Sequence, residues 1–325
     1  MNSWKGNAMA GIRLFYVLLM SLGVSSAAWA QEVKRWTIQQ EENVVHFRWN
    51  GHVLASYVFR DAQITRPYWK DIRTLTGTLV SRNSPPNEQD LADHPTMHTG
   101  IWLAFGDLGG EDYWRLKSTV KHVAFVERPK VDGDTIQFTV ENEYLRSSGP
   151  ASVCREICRY QLRIVPEGWL WTSQSRFQSS QAFAFGDQEE MGLGVRLATN
   201  IAVKKKLGGQ ILDANGRVNT DVWGQVADWC DYSGIIDSKH VGMTVMPSNK
   251  NPRPCRWHAR DYGFMAANPF GNEVFRAGER LQTKVEPNQS IALSFGVLVH
   301  EESDGAAYDP KKAYARHGAN LDALP

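Results

Sequence analysis

The chain has 325 residues, of which 42% are hydrophobic and 22% charged, and its formal net charge at pH 7 is +1. Proteins that bind nucleic acids without regard to sequence neutralise phosphates with clustered lysines and arginines. The chain has no such basic tract, and the three lysines at 204–206 are typical of a solvated turn or a charged guard on an edge strand. The composition therefore argues against a nucleic-acid partner.

Residues 1–30 have the features of a secretory signal peptide. Lys5 and Arg13 precede an apolar run over 14–24, and Ala28-Trp29-Ala30 supplies the small residues of a cleavage site. A membrane span needs about 20 apolar residues, which neither this run nor any later segment provides; an uncleaved anchor is the alternative. We expect cleavage, a periplasmic or secreted mature chain, and no membrane contact afterwards.

The four cysteines would enter an oxidising compartment, where disulfides form. Cys154 and Cys158 are close enough in sequence to close a local loop, which leaves Cys230 and Cys255 as a second pair. Other pairings, free thiols and a metal site are the alternatives, although the spacing C-x3-C then C-x24-C matches no common structural zinc site. We favour disulfides.

A period of two dominates the mature chain. Apolar and polar residues alternate over 136–141 and over 158–164, a pattern typical of strands with one buried and one solvated face. Further strands are predicted at 44–49, 53–59, 75–80, 122–126, 169–177, 193–202, 241–246 and 291–299. Turn residues such as Asp132-Gly133-Asp134 separate these segments.

A helical pattern is clear only near the end, where Pro310 precedes residues 311–320. We expect an all-β protein of a dozen or more strands, since stacked antiparallel sheets bury many one-faced strands. The predicted fold is a large antiparallel β-sandwich with a short C-terminal helix. No long polar linker divides residues 31–325, which predicts a single domain, and the absence of a fixed repeat argues against a propeller or solenoid.

Residues 93–114 combine two histidines and four carboxylates with aromatic residues and glycines. Ionisable groups are costly to bury unless they are paired or used, so we interpret this stretch as one wall of a polar pocket. His94 and His98 have a metal-ligand spacing for a helix, but Pro95 and Gly100 favour an extended or turning backbone. Hydrogen bonding to the loop backbone and metal binding are the alternatives to a pocket role.

A second cluster spans residues 185–196 and contains Glu189, Glu190 and Arg196. Two carboxylates in a cleft can divide the roles of acid and base when their environments separate their pKa values. The alternative is that one glutamate only pairs with Arg196. Of the two we favour Glu190, because it lies two positions before Gly192 and the strand that follows.

A third cluster, interrupted by strands, extends from Asp221 to Phe270. Its mixture of residue types is typical of sugar sites, where aromatic faces stack on rings and polar groups hold hydroxyls. A single tryptophan in a sandwich is more often a core residue. The candidates are Trp229, Asp231, Trp257, His258, Arg260, Asp261 and Asn268.

Motifs of several enzyme classes are missing from the sequence. There is no phosphate-binding glycine loop followed by Lys-Ser or Lys-Thr, no Rossmann fingerprint and no G-x-S-x-G nucleophile elbow. A nucleotide-dependent enzyme and a serine hydrolase are therefore disfavoured.

Several segments, in this order, resemble the DUF6807 family over about residues 55–300. They are Asp93-His94-Pro95 with Gly106-Asp107 and Tyr113-Trp114, then Glu189-Glu190-Met191-Gly192, Trp223-Gly224, Trp229-Cys230-Asp231-Tyr232, Trp257-His258-Ala259-Arg260-Asp261-Tyr262-Gly263 and Asn268-Pro269-Phe270. The family also carries the label methane oxygenase PmoA. Subunits of the particulate methane monooxygenase span the membrane with several helices, and the mature sequence has no such segment, so we reject methane oxidation.

The resemblance implies an exported β-sandwich from bacterial polysaccharide-degrading gene neighbourhoods, in a family without an established general activity. Many members read Asp-His-Pro-His-His where this chain has Thr96 and Met97 before His98. The missing histidine weakens a three-histidine metal model. We therefore predict no cofactor, although a metal at His94 and His98 is not excluded.

Together these patterns predict an enzyme that hydrolyses or eliminates a glycoside, on a sandwich of which the supersandwich of aldose mutarotases is one form. The predicted catalytic residues, with Glu190 or Asp107 as acid and base and the histidines transferring protons or orienting carboxylates, are His94, His98, Asp107, Glu190, His258 and Asp261. The predicted substrate-binding residues are Trp102, Glu189, Arg196, Trp229, Asp231, Trp257, Arg260 and Asn268. A non-catalytic glycan-binding protein, a mutarotase-like or epimerase-like enzyme and a metal-dependent enzyme are the alternatives.

Overall fold

The structure is a computed structural model that describes Met1 and residues 35–302 and 308–322. The predicted signal peptide, apart from Met1, lies outside the described residues. The chain divides into two units, Met1–Val33 and Lys34–Pro325, and every strand belongs to the second. The predicted domain boundary at residue 31 stays a prediction.

Eighteen strands and one α-helix occur in the described residues. In chain order they are β1 (Trp36–Gln40), β2 (Val44–Trp49), β3 (His52–Val58), β4 (Tyr68–Lys70), β5 (Ile101–Phe105), β6 (Val120–Asp132), β7 (Thr135–Leu145), β8 (Ser152–Val165), β9 (Gly168–Gln178), β10 (Phe183–Phe185), β11 (Met191–Arg196), β12 (Gln210–Asp213), β13 (Cys230–Ile236), β14 (Lys239–Pro247), β15 (Arg256–Arg260), β16 (Phe264–Asn268), β17 (Thr283–Val285), β18 (Ser290–Glu302) and α1 (Pro310–Asp322). Short 3-10 helices lie at Thr199–Ile201, Val203–Lys205, Asn219–Val222 and Glu273–Phe275.

Sixteen of these strands form two eight-stranded sheets, and β10 pairs separately with β17. The first sheet has the order β1-β2-β3-β4-β5-β11-β16-β15, and the second has the order β12-β13-β14-β18-β9-β8-β7-β6. Neighbouring strands in both sheets run antiparallel, as in the β11–β16 and β8–β9 pairs. The predicted antiparallel sandwich with a short C-terminal helix is confirmed.

The main core lies between the two sheets and follows the alternation in the sequence. On β7, Ile136, Phe138 and Val140 are fully buried while the residues between them are partly exposed. Phe138 of the second sheet stacks on Phe47 of the first, with ring centroids 5.5 Å apart. Removing a large apolar side chain from such a contact costs about 3–5 kcal/mol, so these rings hold the sheets together.

The outer face of the first sheet carries a separate apolar cluster. On β5, Ile101 and Phe105 face the main core, whereas Trp102 and Ala104 belong to a second cluster with Phe264 of β16. This is the expected result of strand geometry, because successive side chains point to opposite faces. The same alternation brings polar side chains of neighbouring strands to this outer face.

Helix α1 covers part of the outer face of the second sheet. Ala313 and Leu321 of the helix pack with Leu170, Leu298 and Trp229. Pro310 begins the helix, a position where proline costs no backbone hydrogen bond. Among the described residues, no helix has the length and apolar character needed to cross a membrane.

Two predicted strands differ from the structure. Residues 75–80 form a turn around Gly77, whose φ is +97°, and Leu79 makes only an isolated bridge, to Arg73. The glycine permits this left-handed backbone, which interrupts the alternation. The strand predicted at 193–202 ends at Arg196 and continues into 3-10 helices.

All four cysteines are buried and unpaired in the structure, which corrects the predicted disulfides. Cys154 and Cys158 lie on one strand, β8, where four residues span about 13 Å at 3.3 Å per residue. A disulfide needs Cα atoms closer than about 7 Å, so this pair cannot form without breaking the strand. Cys230 and Cys255 are fully or almost fully buried and likewise free.

Candidate active site

A cavity of about 70 Å³ opens on the outer face of the first sheet. Its lining combines acid, base and aromatic groups from four segments: His94, Met97, His98, Trp114, Arg115, Glu190, His258 and Tyr262. Three histidines and one carboxylate therefore share a small polar space. The sequence-predicted catalytic residues His94, His98, Glu190 and His258 come together here.

A buried arginine fixes the loop that carries His94 and His98. The Arg82 guanidinium, whose side chain is fully buried, donates hydrogen bonds to the carbonyl oxygens of Leu91, Asp93, His94 and His98 at 2.8, 2.5, 3.0 and 2.8 Å. A planar guanidinium presents five donors in a rigid fork, so one side chain serves four acceptors. Burial is the main cause that lowers the pKa of Arg82, to about 10.

A second buried arginine holds the other end of this loop. Arg66 donates hydrogen bonds to the carbonyl oxygens of Met97 and, at 3.1 Å, of Trp114. Its guanidinium carbon also lies 5.6 Å from the ring centroid of Trp102, which is a cation-π distance. The loop is thus tied to the sheet on both sides of the histidines.

Asp93 and His94 form a hydrogen-bonded pair at the mouth of the cavity. His94 Nδ1 lies 3.0 Å from Asp93 Oδ2, and Arg196 donates two hydrogen bonds to the same carboxylate at 2.7 and 2.9 Å. Burial opposes ionisation of Asp93, but the bonds from Arg196 and His94 lower its pKa to about 2. An ionised carboxylate keeps a proton on Nδ1 of its histidine, which leaves Nε2 as the nitrogen that can take up and release a proton.

The backbone of His94 is strained. Its φ is +48°, a left-handed conformation that is uncommon for residues other than glycine. Such outliers persist when the surroundings fix them, and they concentrate at functional sites. The carbonyl bonds from Arg82 supply that constraint here.

His98 is a buried, neutral histidine. Arg196 Nη1 lies 3.5 Å from His98 Nδ1, and since the guanidinium can only donate, Nδ1 accepts and Nε2 carries the proton. Burial is the main cause that places the pKa of His98 well below its ordinary value, with His94 and Arg196 adding to it. A neutral imidazole of this kind can donate a hydrogen bond to a substrate oxygen.

The histidine rings belong to a stack of aromatic side chains. The ring centroid of His98 lies 4.4 Å from that of His94 and 4.4 Å from that of Phe264, with nearly parallel planes. Tyr262 lies beside both histidines, with its ring centroid 5.7 Å from that of His94 and 6.2 Å from that of His98, and burial raises the pKa of its hydroxyl to about 12. Trp102 packs beneath His98 at 5.2 Å and is 1% exposed, so it supports the stack and offers no free face to a sugar.

The two adjacent glutamates have different surroundings. Glu190 lines the cavity and is paired with Arg115, which also donates to Asp112 at 3.1 Å. Glu189 accepts a hydrogen bond from Arg260 Nη2 at 3.2 Å, and burial raises its pKa although Arg260 opposes the shift. Only Glu190 is placed to contact a ligand in the cavity.

Both ring nitrogens of His258 are engaged by protein groups. Arg260 Nε donates to Nε2 at 3.0 Å, so Nδ1 carries the proton and donates to the carbonyl oxygen of Glu189 at 3.3 Å. Burial, reinforced by Arg260, lowers the pKa of His258 to about 3. His258 is therefore a neutral positioning residue for Arg260 and the Glu189 backbone.

Asp93, His94 and His98 could present ligand atoms within 4.8 Å of one another to a metal ion. Arg196, however, uses both carboxylate oxygens of Asp93 and approaches Nδ1 of His98. A cation at this point would have to displace or repel a fully buried guanidinium. These contacts therefore favour a role for Asp93 in orienting His94 over a role as a metal ligand.

These features can be compared with known families. A model of DUF6807, described as a family of unknown function, matches residues 44–313. The chain belongs to the DUF6807 family. The match confirms the resemblance found in the sequence, and its description lends no support to methane oxidation. A search of curated proteins gives no match.

Several solved structures resemble this DUF6807 protein in chain trace. The GH36 α-galactosidase AgaB of Geobacillus stearothermophilus is 12% identical over 83% of this chain and 41% of its own, with a TM-score of 0.43. A galactose mutarotase-like protein of Lactobacillus casei is 9% identical over 82% of this chain and 100% of its own, with a TM-score of 0.39. The chain thus spans less than half of the α-galactosidase. The likeness concerns the fold alone, and no activity is transferred from it.

The structure does not bring the remaining predicted residues of this DUF6807 protein to the cavity. Trp257 is fully buried between the sheets and donates to the Ala227 carbonyl oxygen at 3.0 Å. Trp229 packs under α1 on the outer face of the second sheet, and Asp231 on the same sheet is bonded to Ser233, Thr244 and His300. The structure corrects the prediction that Trp229, Asp231 and Trp257 bind substrate at this cavity, because their positions on the strands direct their side chains away from the outer face of the first sheet.

Three further candidates have structural roles. Asp107 accepts the amide of Gly110 in a turn, and Asp261 is exposed at the β15–β16 turn. Asn268 donates to the carbonyl oxygens of Gln188 and Glu189 and accepts the amides of Phe270 and Gly271. Asn268 therefore fixes the glutamate loop from below and has no group left for a substrate.

Sequence reasoning missed several cavity residues of this DUF6807 protein. Arg115 follows directly after the stretch that ends at Trp114, and Tyr262 lies inside the third cluster but is not among the predicted site residues. Both could have been predicted from the sequence, because each is adjacent to a residue of a predicted cluster. Arg66 and Arg82 act through backbone carbonyl groups and leave no local signal in the sequence.

Proposed function

We propose that this protein is an exported carbohydrate-active enzyme that transfers protons at a sugar, in the manner of a mutarotase or epimerase. The observation that carries the proposal is that Glu190 and the Asp93-bonded His94 line one cavity beside the neutral His98. Two proton-transfer groups and one fixed hydrogen-bond donor are the requirements for general acid–base chemistry on a sugar oxygen.

The reaction that fits these groups is opening of a hemiacetal ring. Glu190, as a carboxylate, accepts the proton of the anomeric hydroxyl, and the electron pair of that O–H bond forms the carbonyl. The bond between the anomeric carbon and the ring oxygen breaks, and His94, which enters this step with a proton on each ring nitrogen, delivers the Nε2 proton to that oxygen. His98 Nε2–H donates a hydrogen bond to the oxygen on which charge develops. Closure on the other face of the carbonyl reverses each step and returns both protons.

Glycoside hydrolysis by the usual pair of carboxylates is supported less well. Such enzymes place two carboxyl groups on either side of the scissile bond. Among the described residues that line the cavity, Glu190 is the one carboxylate. Glu189 is held by Arg260 instead, so histidine replaces the second carboxylate in the proposed mechanism.

The export part of the proposal is supported by the charged, apolar and small-residue pattern of residues 1–30. Expression of the full chain in a bacterial host, followed by fractionation and N-terminal sequencing, tests it. We expect the periplasmic or secreted form to begin at Gln31. A cytoplasmic chain that retains residue 1 would refute export.

Anomer exchange measured by NMR on a panel of reducing sugars tests the activity. We expect Glu190→Gln and His94→Gln each to lower kcat by roughly 10²–10⁴-fold, the range for loss of a general acid or base. Glu141→Gln is the matched control, because Glu141 is also paired with an arginine but lies on the second sheet. Sugar binding without exchange, unaltered by these substitutions, would replace the enzyme with a glycan-binding protein.

A further inference from the structure

A second cavity, of about 390 Å³, lies on the outer face of the second sheet. We call it the arginine groove and define it by Arg159, Gln174, Arg176, Asn251, Ala292 and Ser294, all of which line it. None of these residues belongs to the candidate active site. The groove is therefore a separate feature from the candidate active site.

The strand register explains how the groove acquires its charge. Cross-strand pairing places Arg159, Gln174 and Ser294 in one row across β8, β9 and β18, and it places Arg176 and Ala292 in the next row. Residues on one face of neighbouring rows are separated by about 7–8 Å on the diagonal. Two guanidinium groups on one face thus lie within reach of a single anionic ligand.

Neither guanidinium is neutralised by the protein. Arg159 Nη2 donates to Gln137 Oε1 at 3.0 Å, and Arg176 Nη1 donates to Ser290 Oγ at 3.0 Å. Within the described part of the chain, neither has a carboxylate oxygen within ion-pair distance. Arg155 of the same strand shows the contrast, since its guanidinium is 3.1 Å from Glu141 and 3.8 Å from Glu143. The positive charge in the groove is therefore uncompensated.

Neutral polar groups line part of the groove, beside the apolar side chains of Ile157, Ala292 and Leu321. Asn251 exchanges two hydrogen bonds with the backbone of Ser294, at 3.1 and 2.8 Å, which holds the loop after β14 against β18. The Gln174 amide and the Ser294 hydroxyl make no hydrogen bond to another described side chain and are partly exposed. A ligand entering the groove meets the two arginines together with neutral donors and acceptors, and Lys250 also belongs to the lining.

We propose that the arginine groove binds the anionic groups of an acidic polysaccharide, either uronate carboxylates or sulfate esters. Paired guanidinium groups match the geometry of both anions, and the amide and hydroxyl groups suit sugar hydroxyls. A nucleic acid is a poorer match, because it requires an extended basic surface and the chain has a net charge of only +1. This binding does not depend on the proposed proton transfer, since it uses no residue of that site.

Equilibrium binding of the mature protein to polygalacturonate, dextran sulfate and neutral dextran tests the proposal. We expect binding to at least one acidic polymer and none to neutral dextran, with affinity that falls as NaCl rises because exposed charges are screened. The Arg159→Gln/Arg176→Gln double variant should lose roughly tenfold or more in affinity. Preference for polygalacturonate or for dextran sulfate identifies the anion as carboxylate or sulfate.

Arg163→Gln is the matched control, because Arg163 lies on the same face of β8 but pairs with Leu170 and does not line the groove. It should retain affinity within about twofold, as expected for a partly exposed charge away from the contact. Equal losses in the control and the double variant would overturn the assignment in favour of diffuse charge attraction. Equal binding of acidic and neutral polymers would overturn it as well. Unchanged thermal unfolding of both variants confirms that they are folded.

Discussion

Replacement of Arg82 by lysine tests how the loop of the candidate site is held. Arg82 is fully buried and serves four carbonyl oxygens through two nitrogens, Nη1 for Leu91 and Asp93 and Nη2 for His94 and His98. Lysine keeps the charge but offers one nitrogen, which can serve one of the two pairs. Two buried acceptors lose their partner at about 1–3 kcal/mol each, so we expect a loss of about 2–6 kcal/mol in the free energy of unfolding.

Urea unfolding measures this loss, and hydrogen exchange of the amides at 91–98 shows whether it is local. Arg73→Lys is the matched control, because within the described residues the Arg73 guanidinium donates one hydrogen bond, to the Gly77 carbonyl oxygen at 3.0 Å. We expect the control to change stability by about 0.5 kcal/mol or less. If Arg82→Lys stays within about 1 kcal/mol of wild type with unchanged exchange protection, the reasoning that the guanidinium fork holds the loop is refuted.

Two further predictions concern stability. The pKa of His258 is about 3 in the folded chain and 6.5 in the unfolded chain. The contribution of this histidine to the free energy of unfolding is therefore complete above pH 6.5 and decreases on acidification, by about 3 kcal/mol at pH 4. Urea unfolding of His258→Gln should show a shallower loss of stability from pH 7 to 4 than the wild type, and equal slopes would contradict the assignment. Gly194→Ala places a Cβ 2.5 Å from the buried Trp102 ring and should cost about 1–3 kcal/mol by thermal unfolding. Gly296→Ala, which meets leucine methyl groups at 3.1 Å, should cost clearly less, and an equal cost would show that the tryptophan yields.

The fold was predictable because the alternation is local and continuous. Strand β2 occupies the predicted residues 44–49, and β7 and β8 bury the apolar positions that the sequence indicated. Residues 75–80 were predicted wrongly, since Gly77 turns the backbone where the alternation suggested a strand. Sheet order depends on contacts between distant strands, which alternation within one strand cannot specify.

The candidate site was predictable in part. The alternation of side chains along a strand explains both the residues that were placed correctly and those that were placed wrongly. His258 and Arg260 reach the outer face of the first sheet from β15, whereas Trp257, the residue before His258, must face the core. Grouping Trp257 with His258 therefore ignored the same period of two that predicted the strand. Asp231, on a strand of the second sheet, could not be assigned to a face of the molecule until the sheet order was known.

The buried arginines explain why a strained histidine loop can sit on a rigid sheet. Burying a guanidinium is costly unless its donors are satisfied. Arg82 and Arg66 satisfy theirs by donating hydrogen bonds to backbone carbonyl oxygens near His94. Both arginines come from connecting segments outside the histidine loop, Arg66 before β4 and Arg82 between β4 and β5, so the φ of +48° at His94 is enforced by groups that do not take part in chemistry. Loosening Arg82 should therefore relax His94 away from Asp93 and reduce kcat before it weakens sugar binding, because Glu190 and Tyr262, which also line the cavity, do not depend on that backbone.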